Sequence, residues 1–256
     1  MGDFMKIFKN KKLIISLSVV LAVIVATFSA FGIYVSDYYH ADTNAIAEFS
    51  ENWAIKPEKL SKNVLVYKPE NPIAGFIFYP GGRVEHTAYE PLMQALADRN
   101  IMCVLIKMPF NLAVLDINAA SGIKEKFPEI KDWYIGGHSL GGSMAASYIS
   151  KKDWLKGIVL LGAYSTADLS DKDIYALSLF GNNDKVMDAQ KYEKYKKNMP
   201  RNFMQVELRG ANHAYFGMYG EQDGDGKAEM TNEEQILLAA EEISNFVIIS
   251  LQGANL

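Results

Sequence analysis

The sequence predicts an α/β domain with a mostly parallel central sheet, helices on both faces and no large lid, preceded by one N-terminal transmembrane helix. Three observations lead there. From Asn63 onward, short apolar runs alternate with amphipathic stretches, the pattern of parallel strands joined by crossover helices. One run, Trp133-Tyr134-Ile135, leads into Gly137-His138-Ser139-Leu140-Gly141, a Gly-x-Ser-x-Gly pattern at a strand-to-helix turn. Upstream, no residue from Leu13 to Ser36 carries a charge.

The apolar N-terminal run comes first. As a helix, Leu13 to Val35 would extend ~34 Å, enough to cross a hydrocarbon core of ~30 Å. Lys6, Lys9, Lys11 and Lys12 precede it, and Asp37, Asp42, Glu48 and Glu51 follow. The positive-inside rule then keeps residues 1–12 in the cytoplasm as a basic tail and sends the rest across. An uncleaved signal anchor over 13–35 is expected. The competing readings are a cleaved secretory signal, for which Ala30-Phe31-Gly32 is the candidate cleavage site, and a buried core helix. Residues 36–61, polar and aromatic with a short helix near Ala41 to Phe49, read as a juxtamembrane stalk, and 62–256 as the α/β domain.

Length and composition bound the rest. A chain of 256 residues supports one domain with a sizeable core, and a net charge of −4 with a pI near 5.6 argues against a nucleic-acid partner. The single cysteine, Cys103, excludes an internal disulfide and a cysteine metal site, and its apolar neighbours make it a core residue.

Within the domain the expected strands are Val64 to Tyr67, Ala74 to Tyr79, Ile101 to Lys107, Trp133 to Ile135, Gly157 to Leu161, Ile174 to Phe180 and Phe203 to Leu208. Helices are expected over Glu90 to Arg99, Ile117 to Phe127, Gly142 to Ser150 and Gln190 to Asn198. Thr231 followed by Glu234 is a capping box that opens a last helix reaching about Leu251.

The chemistry-bearing residues fall in the turns after strands, where reactive groups collect in a parallel sheet. A serine hydroxyl is a weak nucleophile and needs a base, which in turn needs an orienting acid. Ser139 follows one strand, Asp184 follows another in Gly181-Asn182-Asn183-Asp184, and His213 follows the last in Gly210-Ala211-Asn212-His213. Asp188 is the rival acid and His86 the rival base. Pro80-Gly81-Gly82-Arg83 supplies a glycine loop that can bring a backbone amide to substrate. An oxyanion hole is expected from the N–H of Leu140 together with that of Arg83 or Gly82.

These residues together resemble the α/β-hydrolase superfamily, and within it compact bacterial members with a dienelactone-hydrolase-like core. The resemblance runs from Asn63 to the C-terminus. It implies a Ser139-His213-Asp184 triad acting through an acyl-enzyme, with no metal or organic cofactor. Dienelactone hydrolases proper use a cysteine nucleophile, so their lactone substrate does not transfer to a chain with serine. A small-molecule carboxylic ester is the expected substrate class, with the membrane engaged through the N-terminal helix. The short stretch between Leu161 and Ile174 has no room for a large lid, which predicts an open site without lid-driven interfacial activation. An acyltransferase or peptidase would use the same triad, and a catalytically silent fold would serve as a tethered interaction module. Glu221 to Lys227 partly matches a calcium loop, but Glu221 stands where Asp begins such loops and Asn232 where a bidentate Glu ends them. It reads instead as a polar loop at the site's rim, with Tyr215, Phe216 and Tyr219 packing around it.

Overall fold

The computed structural model describes residues 11–51 and 53–253; of the expected basic tail, residues 1–10 lie outside them. The chain divides into two units, one ending at Tyr38 and one beginning at Tyr39. The first holds helix α1 (Lys11–Ser36), whose segment Leu13–Ser36 is long and apolar enough to cross a membrane. Large apolar side chains such as Phe28 and Ile33 are exposed along it.

The second unit is built on strands β1 (Glu58–Ser61), β2 (Val64–Tyr67), β3 (Ala74–Tyr79), β4 (Ile101–Ile106), β5 (Trp133–His138), β6 (Gly157–Leu161), β7 (Tyr175–Gly181) and β8 (Asn202–Leu208). They form one sheet in the order β1-β2-β4-β3-β5-β6-β7-β8. The pairs β1/β2 and β2/β4 are antiparallel and all others parallel. The helices are α2 (Thr43–Ser50), α3 (Glu90–Ala97), α4 (Ile123–Lys126), α5 (Leu140–Ile149), α6 (Ala189–Tyr195) and α7 (Asn232–Leu251).

Successive side chains of a strand point to opposite faces, so a sheet covered on both sides needs apolar residues at every position. The central strands β3, β4 and β5 are buried throughout. Phe76 and Phe78 pack on one face with Leu92 and Met93 of α3 and with Phe246 and Val247 of α7. Ile77 and Tyr79 pack on the other with Ala145 and Ile149 of α5. Burying one such large side chain contributes ~1.5–3 kcal/mol, so the two cores hold the sheet rigid under the loops at its carboxyl edge. The expected capping box closes the start of α7: the Thr231 hydroxyl accepts from the Glu234 amide at 3.1 Å, and the Glu234 carboxylate accepts from the Thr231 amide at 2.7 Å.

Two expectations are corrected. Residues 39–61 are part of the folded domain rather than a stalk. Tyr39 bridges to Val84, Phe49 joins the core, and Glu58–Ser61 pairs with β2 as an edge strand. An exposed edge with charged residues has no apolar alternation to reveal it. The helix expected over Ile117 to Phe127 shrinks to α4. The Tyr79 hydroxyl donates to the Ile117 carbonyl at 2.8 Å and accepts from the Ala120 amide at 2.9 Å, taking backbone groups a helix would pair. Gly122, at φ 80, then sets a left-handed start for α4.

Candidate active site

Strand β5 delivers Ser139 into a turn of unusual backbone geometry. Ser139 sits at φ 51 and ψ −121, a conformation that costs a residue with a side chain ~1–3 kcal/mol. Close packing makes the flanking glycines necessary: a Cβ on Gly141 would stand 2.2 Å from the carbonyl oxygens of both Tyr79 and Pro80. Ser139 caps the N-terminus of α5, whose first amide, that of Leu140, has no acceptor within the helix.

The acid and base come from the turns after β7 and β8. His213 Nδ1 lies 2.8 Å from Asp184 Oδ2, and both side chains are almost wholly buried, 1% and 2% exposed. The other Asp184 oxygen accepts from the amides of Val186 and Met187 at 2.9 and 2.8 Å, which fixes the carboxylate. His213 Nε2 is buried without a hydrogen-bond partner, so no bond joins it to the Ser139 hydroxyl in this structure. Its neighbours still put it beside the serine. The Ser139 amide donates to Leu161 at 2.9 Å, the next residue, Gly162, lies against the His213 ring and Asp184, and the His138 ring is 4.5 Å from that of His213. A cleft of about 470 Å³ opens on Ser139, with Leu140, Ala163, Tyr164, Met187 and Lys191 in its wall. A larger one of about 570 Å³, between α2 and the start of α7, contains none of the three residues.

Of the rival residues, Asp188 is engaged elsewhere, whereas His86 Nδ1 is buried without a hydrogen-bond partner. Asp188 caps α6 by accepting from the Lys191 amide at 3.0 Å and pairs with the Lys191 ammonium at 3.2 Å. His86 sits on the 3-10 turn His86–Tyr89, where burial, reinforced by Lys107, pulls its imidazole down to about 4. In the glycine loop the Arg83 amide donates to the Asn111 carbonyl at 2.8 Å, which corrects the expectation that it serves an oxyanion. Gly82 lies against Leu140, 2.9 Å from Leu140 Cδ2 to a Cβ built there, and no acceptor among the described residues takes its amide.

Three supporting residues were not anticipated. Tyr89, from the turn before α3, accepts from the Gly81 amide at 3.1 Å and lies 2.8 Å from His138 Nδ1. The phenol oxygen thus joins the Gly81 amide to the His138 ring, while His138 Nε2 is buried without a hydrogen-bond partner. Burial, with His213 adjacent, holds His138 well below the ordinary imidazole range, so it stays neutral. The third is Asp225, in the loop first compared with a calcium site. One oxygen accepts from the amides of Lys185 (3.2 Å) and Gly226 (2.8 Å), the other from that of Ala214 (2.9 Å). It therefore ties the residue after Asp184 to the residue after His213. The tyrosines and Phe216 of the rim do pack: Phe216 is buried against His138, and Tyr219 against Tyr39 and Tyr89.

Residues 75–237 match the model of the alpha/beta hydrolase family. The chain belongs to that family. Its fold is shared with TT1662 from Thermus thermophilus (TM-score 0.57, 14% identity, 77% of this chain and 98% of that one). It is shared as well with the esterase domain of a Rhodothermus marinus protein (0.56, 12%, 75% and 95%) and with Est1E from Butyrivibrio proteoclasticus (0.55, 13%, 77% and 99%). No curated protein matches the sequence. The hydrolase fold, a buried acid–imidazole pair and a strained serine turn thus meet at one sheet edge.

Proposed function

We propose that the chain is a membrane-anchored serine hydrolase that cleaves carboxylic esters through an acyl-enzyme. The observation that supports this reading is the buried Asp184–His213 pair, whose Nε2 has no hydrogen-bond partner and whose imidazole lies against Gly162 and the His138 ring, next to Ser139 in the chain. An unsatisfied buried nitrogen costs ~1–3 kcal/mol, and a serine proton is the partner the site can offer it. Asp184 holds the proton of neutral His213 on Nδ1, which leaves Nε2 as an acceptor. His213 takes the Ser139 proton as Oγ attacks the ester carbonyl. The amides of Leu140 and Gly82 receive the oxyanion. The imidazolium then protonates the departing alkoxide, and a second round with water releases the acid. No step calls for a metal or organic cofactor.

Helix α1 is the anchor in this reading. The lysines before it place the N-terminus in the cytoplasm and the hydrolase domain outside. Residues 162–174, between β6 and β7, hold neither helix nor strand, in keeping with an open cleft. The test is fluorophosphonate labelling of the full-length protein in detergent beside Ser139→Ala and His213→Ala, with turnover of short-chain p-nitrophenyl esters. Labelling and turnover in the wild type, lost in both variants, is the expected result. A folded wild type that does neither overturns the proposal. Protease added to intact cells should digest the domain, and full protection would reverse the orientation.

A further inference from the structure

His138 immediately precedes Ser139, and the proposed mechanism gives its imidazole no task. The ring is nevertheless enclosed at the site. It is buried at the end of β5 with three rings around it: His213 at 4.5 Å between centroids, Phe216 at 5.7 Å and Tyr89 at 5.8 Å. His213 and Phe216 belong to one turn, so His138 touches that turn at two points. Burial keeps His138 neutral, so it sets no charge against the imidazolium that forms at His213.

A base needs more than its acid to be aimed. Asp184 holds His213 at one atom, Nδ1, 2.8 Å away. An imidazole held at one atom can swing about that bond and carry Nε2 off its target. Two neighbours limit the swing. One is Gly162, where an added Cβ would stand 2.9 Å from His213 Nδ1 and 3.1 Å from Cε1. The other is the His138 ring. His138 is itself held by Tyr89, whose hydroxyl lies 2.8 Å from Nδ1 and accepts from the Gly81 amide at 3.1 Å. Tyr89 is wholly buried and packs on Phe78 at 5.0 Å and Tyr219 at 6.4 Å. Gly81 closes over the pair: a Cβ there would stand 2.7 Å from the Tyr89 oxygen and 2.8 Å from His138 Nδ1. The next residue is Gly82, the proposed oxyanion donor. One phenol oxygen thus joins the oxyanion loop to a ring that packs on the base.

We propose that Tyr89 and His138 are positioning residues for ester cleavage, a single buried brace that aims His213 Nε2 at Ser139 and fixes the loop carrying the Gly82 amide. This rests on the serine-hydrolase reading and deepens it. Groups that meet a reacting atom must be held within ~0.5 Å and ~10–20°, and one bond to Asp184 does not do that alone. Neither residue touches substrate; both act through His213 and Gly82.

The test measures steady-state turnover of p-nitrophenyl butyrate by the full-length protein in detergent, with active sites counted by exhaustive fluorophosphonate labelling so that kcat refers to folded molecules. Tyr89→Phe and His138→Phe each remove the bond between the two residues and keep a ring in place. Each should lower kcat about 10- to 100-fold with KM within about threefold. The double variant should fall no further than the lower single one, because the two act as a unit. Gly81→Ala removes no polar group but drives its Cβ into the pair, so it should lower kcat likewise, and it decides the matter if a phenylalanine variant does not fold. A wild-type kcat, a raised KM with unchanged kcat, or single losses that multiply in the double variant overturns the proposal. A second arm needs no turnover. In proton NMR the His213 Nδ1 proton shared with Asp184, assigned by its loss in His213→Gln, should shift or broaden in Tyr89→Phe as the ring loosens. An unchanged signal overturns the brace. If the wild type neither cleaves the ester nor takes up fluorophosphonate, the hydrolase reading has failed, and the NMR arm still decides whether Tyr89 and His138 position His213.

Discussion

Replacing Asp225 by alanine removes a carboxylate that touches no substrate in the proposed mechanism yet joins the two loops the mechanism depends on. Its bonds to the Lys185 amide (3.2 Å) and the Ala214 amide (2.9 Å) span the acid and base turns. Hydrogen bonds to a charged group contribute ~1.5–3 kcal/mol each when dry. Asp225 is only half-buried, so water replaces part of that, and a loss of ~2–3 kcal/mol follows. For a domain of this size the melting temperature should fall by about 5–10 °C. The catalytic effect should be larger than a mere loosening implies, because a displacement of ~1 Å in a reacting group can cost ~100-fold. With a p-nitrophenyl ester, kcat should drop about 10- to 100-fold while KM stays within about threefold, since the cleft wall is untouched. Asp225→Asn, which keeps one acceptor oxygen, should fall between. Asp223→Ala, an exposed neighbour, should be close to wild type in both measurements. A wild-type kcat in Asp225→Ala would refute the clamp, and a raised KM with unchanged kcat would assign the loop to substrate binding instead.

Gly162→Ala should abolish ester turnover by at least ~100-fold, because at φ 51 the new Cβ would lie 2.9 Å from His213 Nδ1 and 3.2 Å from Asp184 Oδ2. Steady-state kinetics on the folded variant checks this, and retained activity would mean the pair tolerates displacement. Tyr89→Phe strips the buried Gly81 amide and His138 Nδ1 of their shared partner, so unfolding free energy should fall by ~2–4 kcal/mol in denaturant titration; a loss below ~0.5 kcal/mol would show that the phenol bears neither bond. Stability should also decline with acid. His138 is held well below its ordinary range and His86 down to about 4, so the unfolded chain binds protons that the folded one refuses. The stability is therefore intact above the unfolded imidazole value of ~6.5 and is lost as pH falls below it, with His138 contributing up to ~1.4 kcal/mol per pH unit. His138→Gln should flatten that slope in unfolding curves taken between about pH 4.5 and 6.5, and an unchanged slope would exclude His138 as the cause.

Much of this site could be read before any coordinates, because its signals are local. Gly137 and Gly141 are written around Ser139 since backbone from Tyr79 and Pro80 leaves no room for a Cβ. Asp184 and His213 could be found because a parallel sheet sends the ends of its strands to one edge. The Thr231–Glu234 box was legible because its bonds span only three residues. The choice between Arg83 and Gly82 was not, since it turns on the Asn111 carbonyl, a partner from a different loop. Asp225 looked like part of a cation loop because its true partners, the Lys185 and Ala214 amides, lie 40 and 11 residues away. Tyr39 to Ser61 read as stalk because backbone bonds to Arg83 and Glu85 and an edge pairing leave no side-chain pattern, and its buried Phe49 meets the core through partners far off in sequence.

The sequence by itself determined the α/β class, the uncharged N-terminal helix, the serine turn and the chain order Ser139, Asp184, His213 of the candidate residues, because periodicity, charge and steric need are properties of neighbouring residues. Tertiary structure alone decided that the Arg83 amide bonds to Asn111, that Asp225 joins the turns of Asp184 and His213, and that the Tyr39 backbone pairs with Arg83 and Glu85. Those depend on backbone groups brought together across the sheet edge, and a backbone amide leaves no mark in the sequence.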